Sequence, residues 1–137
     1  MRVLALDHGT KRIGVAISDE LGIIAQPLEF IPAEPLEKFY QRLAVILAEK
    51  QVTEIVVGMP FNMNGSIGPA AQKVERFVTE LKTKVTPPIH TCDERLTTYE
   101  AENLLISAGT RRKKRKQVID KMAAAVLLQG YLDAKSL

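Results

Sequence analysis

The sequence predicts an α/β domain on a mixed five-stranded sheet, with three strands in an antiparallel meander, two more parallel to the first, and helices flanking. Three observations predict it. The chain opens on an unbroken apolar run, Val3-Leu4-Ala5-Leu6, the mark of a strand covered on both faces. Two further strand-like stretches follow with only turn residues between them. From Pro35 onward, short β-branched runs alternate with helically periodic segments, the pattern of parallel strands joined by crossover helices.

Each element has its own warrant. The first strand ends at Asp7, and Gly9 and Gly14 suit the reversal into a second, Ile13 to Ser18. The Glu20-Leu21-Gly22 turn leads to a third, from Ile23 to about Ile31. Pro32 and Pro35 close the meander, and Pro35 suits the first turn of a helix. Leu36, Phe39, Tyr40, Leu43, Ile46 and Leu47 recur at helical spacing to about Lys50. Glu54 to Gly58 is a fourth strand, and it empties into a loop, Met59 to Ser66, rich in turn formers. Ligands gather at such loops in α/β sheets, although a plain connection is the competing reading. Pro69 opens a helix with Ala70, Val74, Phe77, Val78 and Leu81 facing inward, stopped by Pro87 and Pro88. Ile89 to Cys92 is the fifth strand. Thr97 with Glu100 forms a capping-box pattern that starts a helix ending at Gly109. A basic run follows, and a last helix covers roughly Gln117 to Ala134.

The 137 residues are read as one domain, 1–137, large enough to bury a proper core. The apolar fraction of 46% and charged fraction of 26% are those of a soluble globular protein, and no apolar run approaches the ~18 residues of a membrane span. No signal peptide is read at the start, and the cytoplasm is the expected compartment. The single cysteine, Cys92, excludes an intramolecular disulfide framework and a CxxC zinc site; its neighbours suggest a buried strand position. The net charge of +3 conceals an asymmetry. Arg111, Arg112, Lys113, Lys114, Arg115 and Lys116 are consecutive, and without them 13 basic residues face 16 acidic ones. A cluster that dense suits a polyphosphate such as nucleic acid, against the plain alternative of a solvated surface loop.

Asp7 ends the first strand on the face of Val3 and Ala5, where a carboxylate in low dielectric needs compensation. Turn N–H groups, a cation or a metal would each supply it, and Lys11 and Arg12 stand a few residues away. Glu94 follows the fifth strand. Asp120 opens the last helix on a face shared with Ala123, Ala124, Leu127 and Tyr131, where favouring the helix dipole is the bland explanation. If the first and fifth strands are parallel, Asp7 and Glu94 emerge at one edge. Three such acids suit Mg²⁺ or Mn²⁺, and two such ions about 4 Å apart can serve phosphodiester cleavage. Asp93 is the rival to Glu94, since neighbours on a strand face opposite ways.

These residues fall in a known pattern. Leu6-Asp7-His8-Gly9-Thr10-Lys11-Arg12-Ile13-Gly14-Val15-Ala16 with Ser18-Asp19, Val57-Gly58-Met59-Pro60 with Gly65, Asp93-Glu94-Arg95-Leu96-Thr97-Thr98, and Asp120-Lys121-Met122-Ala123-Ala124 running into Leu128-Gln129-Gly130-Tyr131-Leu132 span nearly the whole chain in order. The chain resembles the YqgF (RuvX) family of RNase H-like proteins, a group of Holliday junction resolvase-like and pre-16S rRNA nuclease proteins. Met59 departs from the usual Leu, an isosteric change, and His8 fills a slot the pattern leaves open. The resemblance implies an RNase H-like fold with Asp7, Glu94 and Asp120 as metal-binding catalytic acids for Mg²⁺ or Mn²⁺. It implies maturation of the 5′ end of the small-subunit ribosomal RNA precursor, with DNA-junction cleavage by analogy. Lys11, Arg12 and Arg95 would then neutralise the scissile phosphate, and the Arg111–Lys116 run would hold flanking backbone. The ribosome is an expected partner, and the chain is expected to be a monomer or weak homodimer.

Two other classes compete. A non-catalytic nucleic-acid-binding module, acting in ribosome assembly or transcription, would use the basic run and leave the acids structural; aromatics at only 5% argue against base stacking as its mode. Asp-x-Gly-Thr after an N-terminal strand also resembles the first phosphate loop of actin- and hexokinase-type ATPases. Those bind ATP between two such domains, and this chain would need a homodimer to build the cleft.

Overall fold

The computed structural model describes residues 1–94 and 112–136, with side chains for 1–94 and 122–136. Five strands form one sheet: β1 (Arg2–His8), β2 (Arg12–Ser18), β3 (Ala25–Pro32), β4 (Val52–Met59) and β5 (Ile89–Asp93). Their order is β3-β2-β1-β4-β5. β2 pairs antiparallel with both β1 and β3, while β4 runs parallel to β1 and β5 parallel to β4. The meander and the two parallel strands are therefore as expected.

The described helices are α1 (Leu36–Glu49), α2 (Pro69–Leu81) and α3 (Arg112–Lys135). Strand alternation divides the core between the two faces of the sheet. Leu4, Leu6, Val15, Ile55 and Val57 pack with Phe39 and Leu43 of α1 and with Val74, Phe77 and Leu81 of α2. On the opposite face Val3, Ala5, Ala16 and Val56 pack with Ala124, Ala125, Leu127, Leu128 and Leu132 of α3. Small residues on both sides of that second interface bring α3 close to the sheet.

The direction of α3 matters for function. Its last turns reach the start of β4: the Tyr131 hydroxyl donates to Oε2 of Glu54, and Lys135 Nζ lies 2.6 Å from Oε1. Ala124, earlier in the helix, packs beside Gly14 near the end of β1. The N-terminal half of α3 thus lies toward the carboxyl edge of the parallel strands.

Several expectations need correction. β3 begins at Ala25, not Ile23, because Oδ1 of Asp19 accepts the Ile23 and Ile24 N–H groups at 2.7 and 3.1 Å and holds them in the turn. Gln129 of α3 then clips the start of the strand, accepting from Ala25 N and donating to Ile23 O, both at 2.9 Å. Ala70 is exposed, and its neighbour Ala71 takes the buried position. Cys92 is half-buried, its thiol pushed up by burial and by the charges of Asp93 and Glu94. α3 starts at Arg112 instead of Gln117, so Arg112–Lys116 form its first turns. Arg and Lys are good helix formers, and the run extends the helix instead of preceding it. Asp120 consequently lies well beyond the first turn, where the dipole has faded, and the dipole explanation for it loses its force. The helix expected from Thr97 to Gly109 lies outside the described residues, as do Arg95 and Arg111.

Candidate active site

The carboxyl edge of β1, β4 and β5 gathers the chemistry-bearing residues. Asp7 is the penultimate residue of β1, paired with Gly14 of β2 in an antiparallel register. The register of β5 on β4 sets Cys92 beside Gly58 and Asp93 beside Met59. Glu94 continues the ladder by one more bond, its N–H donating to the Met59 carbonyl at 3.3 Å. From there its side chain crosses β4 to reach Asp7. Because the strands are parallel, two acids far apart in sequence leave the sheet at one edge.

A glycine makes the crossing possible. A Cβ at Gly58 would sit 2.5 Å from Oε2 of Glu94 and 3.0 Å from Cδ2 of Leu127. The carboxylate therefore occupies the space a side chain would fill, under the α3 helix. Sequence reasoning named Gly58 only as part of a motif. The signal was present: a glycine directly after the β-branched run Ile55-Val56-Val57 and still within the strand marks a close approach.

Glu94 and Asp7 share a side-chain hydrogen bond, which requires a proton on one of the two carboxyl groups. The Glu94 carboxyl is pushed up to about 7. Burial is the largest cause, followed by the charge and hydrogen bond of Asp7 and the charge of Asp93. Two acids thus hold one proton near neutrality, as like charges in contact do. A divalent cation relieves that repulsion where a proton otherwise must, and an all-oxygen donor pair fits Mg²⁺ or Mn²⁺. Among the described residues no group of three or more His, Cys, Asp or Glu is arranged to hold a metal ion.

The third expected acid, Asp120, is placed by its backbone alone. It sits one helical turn before Ala124, about 6 Å back along the axis. Ala124 Cβ is 3.6 Å and Asp7 Cβ 3.7 Å from the position a Gly14 Cβ would take. Position 120 is therefore on the stretch of α3 that leads away from Asp7 and Ala124 toward the carboxyl edge.

Lys11 and Arg12 are exposed in the turn after Asp7. They line a cavity of about 350 Å³ together with Asp7, Gly9, Thr10 and Phe30. The Arg12 guanidinium stacks 4.2 Å above the Phe30 ring, which holds it in place beside the acids. The turn itself is tight, since Gly9 N–H donates to the Arg12 carbonyl at 3.0 Å and a Cβ on Gly9 would collide with that oxygen. His8 faces the other way. Its ring lies 4.6 Å from that of Phe77, and burial and the nearby Lys73 lower its basicity. Of the basic run, Arg112, Lys113, Lys114, Arg115 and Lys116 lie in the α3 backbone, their side chains outside the described residues.

A central strand delivers one acid, the end of a parallel strand two places along the sheet delivers a second, and α3 packs across them. Solved structures carry the same fold: the RuvC of Thermus thermophilus in complex with a Holliday junction substrate superposes with a TM-score of 0.61 at 17% identity, covering 99% of this chain and 96% of that one. The fowlpox virus Holliday junction resolvase gives 0.54 at 13% identity over 98% and 99% of the two chains. The fold is thus that of the RNase H-like resolvases. Residues 1–134 match the RuvX Holliday junction resolvase family model, and the chain belongs to that family. A Desulforamulus reducens protein named "Putative pre-16S rRNA nuclease" is 55% identical over 134 residues, covering 98% of both chains. A Geobacillus kaustophilus protein of the same name is 53% identical over 137 residues, covering 98% of this chain and 99% of its own.

Proposed function

We propose that this protein is a divalent-metal-dependent nuclease that hydrolyses phosphodiester bonds in structured nucleic acid, with the 5′ end of the pre-16S ribosomal RNA as its cytoplasmic substrate. The observation that carries this reading is the Asp7–Glu94 pair, two acids in contact at the carboxyl edge of parallel strands. Fold likeness alone would not give a reaction, because one fold hosts many functions. The acid pair, the family membership and the naming of relatives as nucleases support it together.

Asp7, Glu94 and Asp120 would hold the metal, which when bound supplies an activated water and charge neutralisation at the leaving oxygen. The chain's own residues do the rest. Gly58 leaves room for Glu94 to reach Asp7. Arg12, fixed on Phe30, and Lys11 place positive charge beside Asp7, where a scissile phosphate gains electrostatic stabilisation. Arg95 and Arg111–Lys116 grip flanking backbone without reading sequence. A DNA junction presents the same phosphate chemistry and stands as the second substrate.

The test is cleavage of an end-labelled pre-16S rRNA and of a four-way DNA junction, each with Mg²⁺, Mn²⁺ or EDTA. Metal-dependent cutting of the RNA at its 5′ side is the expected result. Preference for the junction would reassign the substrate, and tight binding with no cutting under either metal would make the protein a binding module.

A further inference from the structure

The acid pair has a second cavity beside it, on the α1 and α2 side of the sheet. Its volume is about 560 Å³, inside the range of about 300–1,000 Å³ that holds small organic ligands. Glu94 forms part of its wall, so it opens directly onto the acids. Gly9 and Thr10 line this cavity and also the smaller one that holds Asp7, Lys11 and Arg12. The β1–β2 turn is thus a ridge with a pocket on either flank and the acid pair at its foot. A nucleic-acid strand lying with its scissile phosphate at Asp7 and Glu94 must send its neighbouring nucleotides to either side of that ridge.

The walls of the larger cavity are chemically divided. Ala33, Leu36, Pro60 and Val74 give apolar surface. Lys73 lies exposed on α2 and makes no hydrogen bond or ion pair with the described residues; its electrostatic neighbour is His8. Glu34 lies in the opposite connection between β3 and α1. Phosphate is drawn to Lys73 and repelled by Glu34, whose oxygens accept instead from a base amine or a ribose hydroxyl. Apolar surface, a cation at Lys73 and an acceptor at Glu34, with Glu94 on the side of the acid pair, match a single nucleotide. A base pair still stacked in a helix cannot enter, whereas an unpaired base can be splayed into such a pocket.

We propose that this cavity holds one unpaired nucleotide next to the scissile phosphate, with Lys73 on its phosphate and Glu34 on its base or sugar. The proposal rests on the nuclease reading for its position in the reaction, but the pocket itself can be tested without cleavage. The protein then acts beside a bulge, loop or strand end and spares continuous duplex.

Amide resonances of His8, Ala70 and Lys73 are followed by NMR while uridine 5′-monophosphate is added to millimolar concentration, in wild type, Lys73→Met and Ala70→Leu. Ala70 lines the cavity and is exposed, so a larger side chain there narrows the pocket while sparing the core. Saturable shifts in wild type, lost in Ala70→Leu and weakened about tenfold in Lys73→Met, are expected. Absence of shifts, or equal shifts with inorganic phosphate alone, would overturn the pocket whatever the cleavage assay shows. Shifts in a protein that cuts nothing would uphold the pocket and remove the nuclease reading. Where the wild type cuts, both variants should lose about tenfold on RNA with an unpaired nucleotide at the cut; undiminished cutting by both overturns the proposal.

Discussion

A Cβ placed on Gly58 would meet Oε2 of Glu94 first, at 2.5 Å, and Cδ2 of Leu127 next, at 3.0 Å. Both atoms are side-chain ends and can give way. The Gly58→Ala variant should therefore fold with a stability loss of about 1 kcal/mol while its Glu94 is displaced from Asp7. Denaturant melts should show the small loss, and cleavage under Mg²⁺ should fall by about a hundredfold or more. A variant that melts and cuts like wild type would remove Gly58 from the site. At this scale the convergence of Asp7 and Glu94 was readable, since each lies at or just past the end of a strand and the parallel topology was inferable. Gly58 and Lys73 were not read as site residues. A glycine's role is the space it leaves, and Lys73 stands on an exposed helix surface where lysines are ordinary.

The C-terminal turns of α3 are tied to the sheet by one buried carboxylate. Glu54 takes the Tyr131 hydroxyl on Oε2 and Lys135 on Oε1, with His90 Nε2 3.2 Å from Oε2. Burial pushes the Glu54 carboxyl up, but Lys135, Tyr131 and His90 together hold it below its ordinary value of 4.5. The unfolded chain then binds the proton more tightly than the folded one. Stability from this carboxylate is present above about pH 4.5 and is lost as pH falls through the folded value. Glu54→Gln should cost about 1–3 kcal/mol at pH 7 in urea melts, and the deficit against wild type should shrink below about pH 4. A deficit that is absent at pH 7 or constant with pH would contradict this role. Among elements, the strands and the first two helices were legible because apolar periodicity sets them. The start of β3 was not, because Asp19 captures the Ile23 and Ile24 N–H groups that β-branched propensity would have put in a strand. The start of α3 was missed because the basic run was read as charge and not as helix-forming residues.

Across the whole molecule, the acid pair, the β1–β2 turn and the N-terminal half of α3 lie toward one edge of the sheet. α3 runs from that edge to the opposite one, so the helix that begins with basic residues ends in the Glu54 cluster. Body charge is acidic and the basic run is local, and on the proposed reading nucleic-acid affinity is electrostatic and falls as salt rises. Among the described residues no helix is long and apolar enough to cross a membrane. The mixed sheet was legible as a whole because meander and crossover patterns leave few topologies open. The two cavities flanking the β1–β2 turn were not, since a cavity arises from segments far apart in sequence: Thr10, Glu34 and Lys73 line one cavity only after folding. On the proposed reading Asp7 serves the reaction and not the fold or the grip on nucleic acid. The most direct test is single-turnover cleavage of the RNA precursor by wild type and Asp7→Asn in Mg²⁺, with RNA affinity of both measured in EDTA. Cleavage lowered by about a thousandfold or more at unchanged affinity is the expected result. Cleavage that survives in Asp7→Asn, or that proceeds in EDTA, would contradict it.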